Sequence, residues 1–262
     1  MSDVPTLPLG DRRIPVVGLG TYGLFGAKGT EQVVTAIEAG YRLLDTAQGY
    51  GNEREVADGM RASGVDRGEL LVTTKLPNGD HGFDETLRSF DRSQEALGID
   101  VVDLYLIHWP MPEQDRYVDS WKAMIRLRDE GRIRAIGVSN FSIEQIERLE
   151  RETGELPALN QVELRVGLDQ ADLRAFHDAH GIVTESYSPL KHGSRLATDP
   201  VVTRIAEAHG VAWNQVVLRW NLQLGTVVIP RSTDAGRQAS NLDVTGFELT
   251  GDEAAAIGAL RY

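Results

Sequence analysis

A (β/α)₈ barrel is the fold class that this sequence predicts, and three observations predict it. The chain has 262 residues, and barrels of about 250 residues commonly form one domain. Short apolar runs alternate with amphipathic stretches, and no Ser-, Pro- or Gly-rich linker divides them, as in a parallel sheet covered by helices. Polar, titratable or aromatic side chains end or directly follow these runs: Asp45, Lys75, His108, Ser139-Asn140, Gln161, Tyr187 and Arg231-Ser232. A barrel gathers function at the C-terminal ends of many strands, whereas an open sheet needs it at one crevice. The first of these ends lie roughly thirty residues apart, about one βα unit each.

Taken in order, Thr6–Val17 holds two short runs around Gly10-Asp11, the signal of a hairpin. Strands are expected at Val16–Leu19, Tyr41–Asp45, Leu70–Lys75, Asp103–His108, Ile133–Val138, Leu159–Glu163, Ile182–Tyr187 and Thr226–Ile229. Runs such as DLYLIH and IRAIGVS are almost continuously apolar, as strands covered on both faces should be. Helical spacing marks Thr30–Ala39, Glu53–Ala62, Phe83–Leu97, Tyr117–Glu130, Ile143–Arg151 and Gln170–His180. It continues at Pro200–Leu224 with a break near Gly210, then at Ala235–Asn241 and Asp252–Leu260. The expectation is one barrel domain over residues 1–262, with an N-terminal β-hairpin and two helices beyond the eight.

Gly18-Leu19-Gly20-Thr21-Tyr22-Gly23 spells G-x-G-x-x-G, with Asp45 further on, and imitates a dinucleotide fingerprint. That fingerprint needs its last glycine to open a helix that receives the pyrophosphate. Here LFGAKG intervenes before the helical signal. The glycines are read instead as letting the first strand turn at the barrel rim.

The net charge of −12 argues against nucleic acid or an anionic membrane surface as a partner. It also means that an anionic ligand must meet a local basic cluster. There are no cysteines, so disulfides, thiolate catalysis and Cys-type zinc sites are excluded. The first residues show neither a basic leader nor an apolar core, and no apolar run is long enough to span a bilayer. A cytoplasmic protein is expected.

Tyr41–Glu53, YRLLDTAQGYGNE, carries the densest chemistry. Asp45 closes an apolar run, Tyr50 stands between Gly49 and Gly51, and Asn52 is placed to cap a helix from Glu53. A phenol has a reference pKa of about 10, and a lysine ammonium beside it favours the phenolate and lowers that value. Lys75 can be that lysine, Asp45 can hold it charged, and His108 can orient a carbonyl oxygen toward Tyr50. Singly, each has a plainer reading: a loop carboxylate, a solvated lysine, a structural histidine. Together, on three successive strand ends, they make a proton donor for a carbonyl that gains a hydride. No nucleophile–base pair and no metal-ligand spacing is present.

These motifs, with LLVTTKL, DLYLIHWP, GRIRAIGVSNF, NQVE, ESYSPL and VVIPRSTDAGRQASN, run the whole chain. In that order they resemble the aldo-keto reductases, most of all the short-looped bacterial branch that includes the diketogluconate reductases. The resemblance implies a monomeric (β/α)₈ TIM barrel that uses NADPH to reduce aldehydes, ketones or dicarbonyls. It implies Tyr50 as general acid, tuned by Lys75 and Asp45, with His108 positioning the substrate. Ser139, Asn140 and Gln161 match the positions that hold the nicotinamide carboxamide, and Tyr187 the ring stacked under it. Gly20, Thr21 and Tyr22 match the first rim loop, and Ser188 and Leu190 the stretch beneath the pyrophosphate. Arg231, Ser232, Thr233 and Arg237 suit the extra phosphate of NADPH, which is favoured over NADH. Asn241 matches the residue facing the adenine. Two departures stand out: Arg231 replaces the family's usual Lys, and Ser240 its usual Glu.

Two other classes are considered. One is a non-catalytic NADPH-binding sensor or accessory subunit on the same barrel, and the other a lyase or isomerase, because fold does not fix chemistry. Relatives usually continue past Arg261-Tyr262 with a tail over the barrel mouth. The expectation is therefore a broad, shallow substrate site, walled by Tyr22, Phe25, Trp109 and His192 and favouring small reactive carbonyls.

Overall fold

A computed structural model describes residues 4–10 and 12–262. Thr6–Leu9 (β1) and Arg12–Pro15 (β2) pair antiparallel, with Leu9 opposite Arg12. The expected hairpin forms, while Asp11 of its turn lies outside the described residues. Eight further strands follow: Leu19–Gly20 (β3), Leu43–Asp45 (β4), Leu71–Leu76 (β5) and Val102–Ile107 (β6); then Ile133–Ser139 (β7), Leu159–Glu163 (β8), Val183–Tyr187 (β9) and Val227–Val228 (β10). They form one sheet in chain order, every neighbour parallel. The sheet closes on itself. Val17 bridges Val228 in parallel, and the Gly18 N–H donates to the Val228 carbonyl at 2.8 Å.

Helices cover the outside. They are Gly26–Ala39 (α1), Glu53–Ser63 (α2), Phe83–Leu97 (α3), Tyr117–Asp129 (α4), Ile143–Thr153 (α5) and Ala171–His180 (α6). After them come Gly193–Leu196 (α7), Pro200–His209 (α8), Trp213–Gln223 (α9), Ala235–Leu242 (α10) and Gly251–Gly258 (α11). The break near Gly210 is a left-handed C-cap with φ of 65° that ends α8. α7 was not foreseen, because one helical turn leaves no periodic signal.

Side chains alternate in and out along each strand, and this alternation builds the site. Leu43, Leu71, Leu104, Leu106, Ala135, Leu159, Val227 and Ile229 form one apolar cluster, joined by Leu9 and Ile14 of the hairpin. That cluster fills the barrel, and the hairpin closes its lower end. Leu44, Val72, Tyr105 and Ile136, each one residue on from an inward side chain, belong instead to the layer under the helices. Two residues further along each inward row come Asp45, Thr73 and then Lys75, His108, Ser139, Gln161, Glu185 and Tyr187, and Arg231. The apolar barrel interior thus has a polar cap at its C-terminal mouth.

The glycines of Gly18–Gly23 serve closure rather than a pyrophosphate. A Cβ on Gly20 would stand 2.9 Å from the Ile229 carbonyl oxygen, and one on Gly18 2.5 Å from Leu43. Only glycine lets β3 approach β10 and β4 so closely. α1 starts at Gly26 instead of Thr30, its first amide bonded to Glu55 Oε1 at 3.0 Å. Asn52 stands at the start of α2, yet its side chain makes no cap. Its amide donates to the Thr21 and Leu24 carbonyls at 2.7 and 3.1 Å, and its Oδ1 accepts from Thr46 Oγ1 at 2.9 Å. The residue stitches the first rim loop to the Tyr50 turn. Ser142 caps α5 through a capping box with Gln145, so Ser139 and Asn140 are not spent as that cap.

Candidate active site

A cleft of about 650 Å³ opens at the C-terminal mouth. It is lined by Gly20, Tyr22, Asp45, Tyr50, His108 and Trp109 on one side, and by Ser139, Asn140, Gln161, Tyr187, Ser188, Leu190 and Arg231 on the other. A larger groove of about 950 Å³ lies at the opposite end, between the hairpin and the ends of α1 and α10, away from these groups.

Lys75 is wholly buried and Asp45 is 2% exposed. Lys75 Nζ donates to Asp45 Oδ1 and Oδ2 at 2.7 and 2.8 Å, to the Thr46 carbonyl at 2.9 Å and to the Tyr50 hydroxyl at 3.4 Å. Burial is the largest influence on Lys75 and opposes its charge, but Asp45, Tyr50 and Glu185 together outweigh it, and the ammonium is held more firmly than usual. Tyr50 lies on a single 3₁₀ turn, Gln48–Tyr50, which Gly51 ends with a φ of 69°. Its ring stands edge-on to Tyr22 and His108, with centroids 5.1 and 5.6 Å away.

One expectation is corrected here. Burial raises the Tyr50 phenol above its ordinary value, and the opposing pull of Lys75 does not overcome it. The lysine is visible in the sequence, whereas desolvation exists only once the chain is folded. Burial, then the charge on Lys75, depresses His108 to about 4, so its imidazole is neutral at ordinary pH.

Across the cleft the polar groups hold one another. Ser139 Oγ donates to the Gln161 carbonyl at 2.9 Å. The Asn140 amide donates to the His108 carbonyl and to Ser139 Oγ at 3.1 and 3.0 Å, while its Oδ1 accepts from the Tyr187 hydroxyl at 2.9 Å. Gln161 Nε2 donates to Asp45 Oδ2 and Glu185 Oε2 at 2.8 and 2.6 Å. Asn140 and Ser188 carry φ of 63° and 54°, a left-handed backbone that packing around the cleft must sustain.

Several expected positions lie outside this lining. Thr21 is buried, its N–H and hydroxyl both donating to the Asp45 carbonyl, so it fixes the loop rather than facing the cleft. Ser232, Thr233, Arg237 and Asn241 sit beyond Arg231, on the loop after β10 and on α10. Asp234 caps α10 by accepting from the Arg237 N–H at 2.8 Å, and Arg237 Nε reaches Ser232 Oγ at 3.5 Å. Asn241 is buried and its Oδ1 accepts from Asn214 Nδ2, which also reaches Ser240 Oγ. Phe25 precedes α1 and is exposed, and His192 lies against Tyr262, with ring centroids 6.3 Å apart. Neither lines the cleft.

Two residues went unread in the sequence. Glu185 stands two before Tyr187, so strand parity already placed it inward. His81 is buried, with Nε2 3.0 Å from the Trp109 carbonyl and Nδ1 3.3 Å from Ser120 Oγ, and it anchors the Trp109 loop. No local pattern marked it.

Fold and cleft together define a closed (β/α)₈ barrel with a buried acid–base cluster at its catalytic end. Residues 16–261 match the Aldo/keto reductase family. The chain is 51% identical over 261 residues to 2,5-diketo-D-gluconic acid reductase B of Corynebacterium sp. (strain SHS752001), covering 99% of this chain and 94% of that protein. An aldo/keto reductase structure from Brucella melitensis aligns with a TM-score of 0.93 at 44% identity, over 97% and 98% of the two chains. A mutant of Gox0644 solved in complex with NADPH aligns with a TM-score of 0.92 at 44% identity, over 97% and 92%. The chain belongs to the aldo/keto reductase family and is an oxidoreductase.

Proposed function

We propose that this chain, acting as a monomeric single-domain barrel, reduces small aldehydes, ketones or dicarbonyls to alcohols with NADPH. The observation that carries the reading is the buried Lys75, bonded at once to Asp45 and to the Tyr50 hydroxyl at the cleft wall.

The donor set fits a nicotinamide cofactor. A flat ring can lie on Tyr187, whose plane is fixed through Asn140. A carboxamide suits Ser139, Asn140 and Gln161. Among the described residues Gln161 spends Nε2 on two carboxyl groups, which leaves Oε1 to accept from a ligand. Arg231 and Arg237 with Ser232 offer charged and hydroxyl donors for a phosphomonoester, which favours NADPH over NADH. The bound cofactor supplies a hydride.

The chain's own groups handle the proton. Tyr50, kept protonated by burial, donates its hydroxyl proton to the substrate oxygen as the carbonyl carbon is reduced. Lys75 then sits beside the phenolate and stabilises it, held in place by Asp45. His108, neutral, has one ring N–H to orient the carbonyl oxygen. Carbonyl, hydride and proton together make the alcohol.

Dicarbonyls are included because the relative named above is a diketogluconate reductase. Tyr22 and Trp109, 64% and 43% exposed beside the cleft, offer aromatic surface to small substrates. The test is NADPH oxidation against a panel of aldehydes, ketones and dicarbonyls. Turnover of small activated carbonyls is expected. NADPH binding with no turnover of any member would point to the sensor class instead.

A further inference from the structure

Glu185 has no part in the roles above. It lies on β9 between Val183 and Tyr187 in the inward row, with none of its surface exposed. Gln161 Nε2 donates to Glu185 Oε2 at 2.6 Å and to Asp45 Oδ2 at 2.8 Å, so both amide hydrogens go to carboxyl groups. Glu185 Oε1 has no partner among the described residues. Few charged or titratable groups face it: Asp45 from β4, Lys75 from β5 and Tyr50 from the turn after β4. β8 presents the Gln161 amide, and β10 sets Val227 opposite it in register. The barrel interior around it is the apolar cluster that includes Leu43, Leu159 and Val227.

An ionised carboxylate there would have one donor for two oxygens and a second carboxylate close by. A neutral acid avoids that cost and still accepts from Gln161. The electrostatics agree: burial, reinforced by the charge on Asp45, pushes Glu185 up to about 8.

We propose that Glu185 is a positioning residue of this site, an uncharged carboxyl that anchors Gln161 and thereby holds Asp45 against Lys75. Kept neutral, it leaves the one charge of Lys75 balanced by Asp45 alone. Without its acceptor, the Gln161 amide is free to turn, and Asp45 loses a fixed donor. The inference rests on the reading of Tyr50, Lys75 and Asp45 as the proton-handling set.

Two variants test it. Glu185→Gln keeps shape and acceptor but cannot ionise, and Glu185→Leu keeps bulk without an acceptor. A carboxyl whose folded pKa lies above its unfolded value favours unfolding increasingly as pH rises between the two. The Tm advantage of Glu185→Gln over wild type should therefore be least near the ordinary value of 4.5, grow up to about pH 8 and then level off. A Tm difference that does not change with pH would overturn the neutral state. This readout needs no turnover, so it stands or falls apart from the carbonyl-reductase reading, which wild-type turnover tests. At about pH 7, Glu185→Leu should lose about two- to tenfold in kcat, the worth of one hydrogen bond. Glu185→Gln should restore most of that loss. A Gln variant as impaired as the Leu variant, or a Leu variant equal to wild type, would overturn the positioning role. Should Glu185→Leu not fold, the Tm series and the kcat of Glu185→Gln decide the matter.

Discussion

At the scale of single residues, the site sets a lysine's charge against the burial of a phenol. Lys75 pulls the Tyr50 proton away and burial holds it on, and burial wins. That suits a donor. His108, held near 4, is neutral at ordinary pH, so its protonation should not shape kcat between about pH 5.5 and 8. A kcat profile with an inflection near 6.5 that vanishes in His108→Gln would contradict this. His108→Ala should lower kcat by about 10²-fold, through loss of an oriented N–H, and steady-state kinetics would read it. Asp45, Tyr50, Lys75 and His108 were legible because each ends a strand or stands in the turn after one. Glu185 is placed inward by strand parity alone, two residues before Tyr187 in ESYSPL. The balance at Tyr50 was not legible, since desolvation comes from residues distant in sequence.

At the scale of elements, strand alternation does most of the building. An apolar interior row becomes a polar mouth two residues further on, and each strand contributes one or two groups. The strands themselves were readable as apolar runs. Their ends were not, as at β3 and β10, where closure depends on bonds such as Gly18 to Val228. Close approach makes certain glycines obligatory. A Cβ on Gly137 of β7 would stand 2.6 Å from the Leu159 carbonyl oxygen of β8. Gly137→Ala should cost about 1–3 kcal/mol in urea unfolding, and an unchanged midpoint would show that these strands have slack. The loop after β10 sets Arg231 beside the cleft, and the start of α10 carries Arg237 beyond it, reaching Ser232 Oγ at 3.5 Å. Arg231→Ala or Arg237→Ala should weaken NADPH about tenfold or more relative to NADH, through loss of a charged hydrogen bond of about 1.5–3 kcal/mol. Equal losses for both cofactors in a binding titration would mean that this cluster does not read the extra phosphate.

At the scale of the whole molecule, the barrel's stability is tied to pH through groups buried in their neutral form. His177 is fully buried between Thr184 and Asn160, and burial, with the charge of His180, lowers it to about 4. A histidine neutral when folded but protonated when unfolded favours unfolding as pH falls. Stability should therefore drop from about pH 6.5 down to about 4, by on the order of 2–3 kcal/mol from His177 alone. Denaturant midpoints across that range would show it, and His177→Gln should flatten the slope. A slope that His177→Gln leaves unchanged would assign the effect to other groups. The central claim is that Tyr50 delivers the proton. Tyr50→Phe removes that proton and little else, so its measured rate of carbonyl reduction with saturating NADPH is the direct test. The account predicts a fall of about 10²- to 10⁴-fold with NADPH binding retained. Reduction at a near wild-type rate would contradict it.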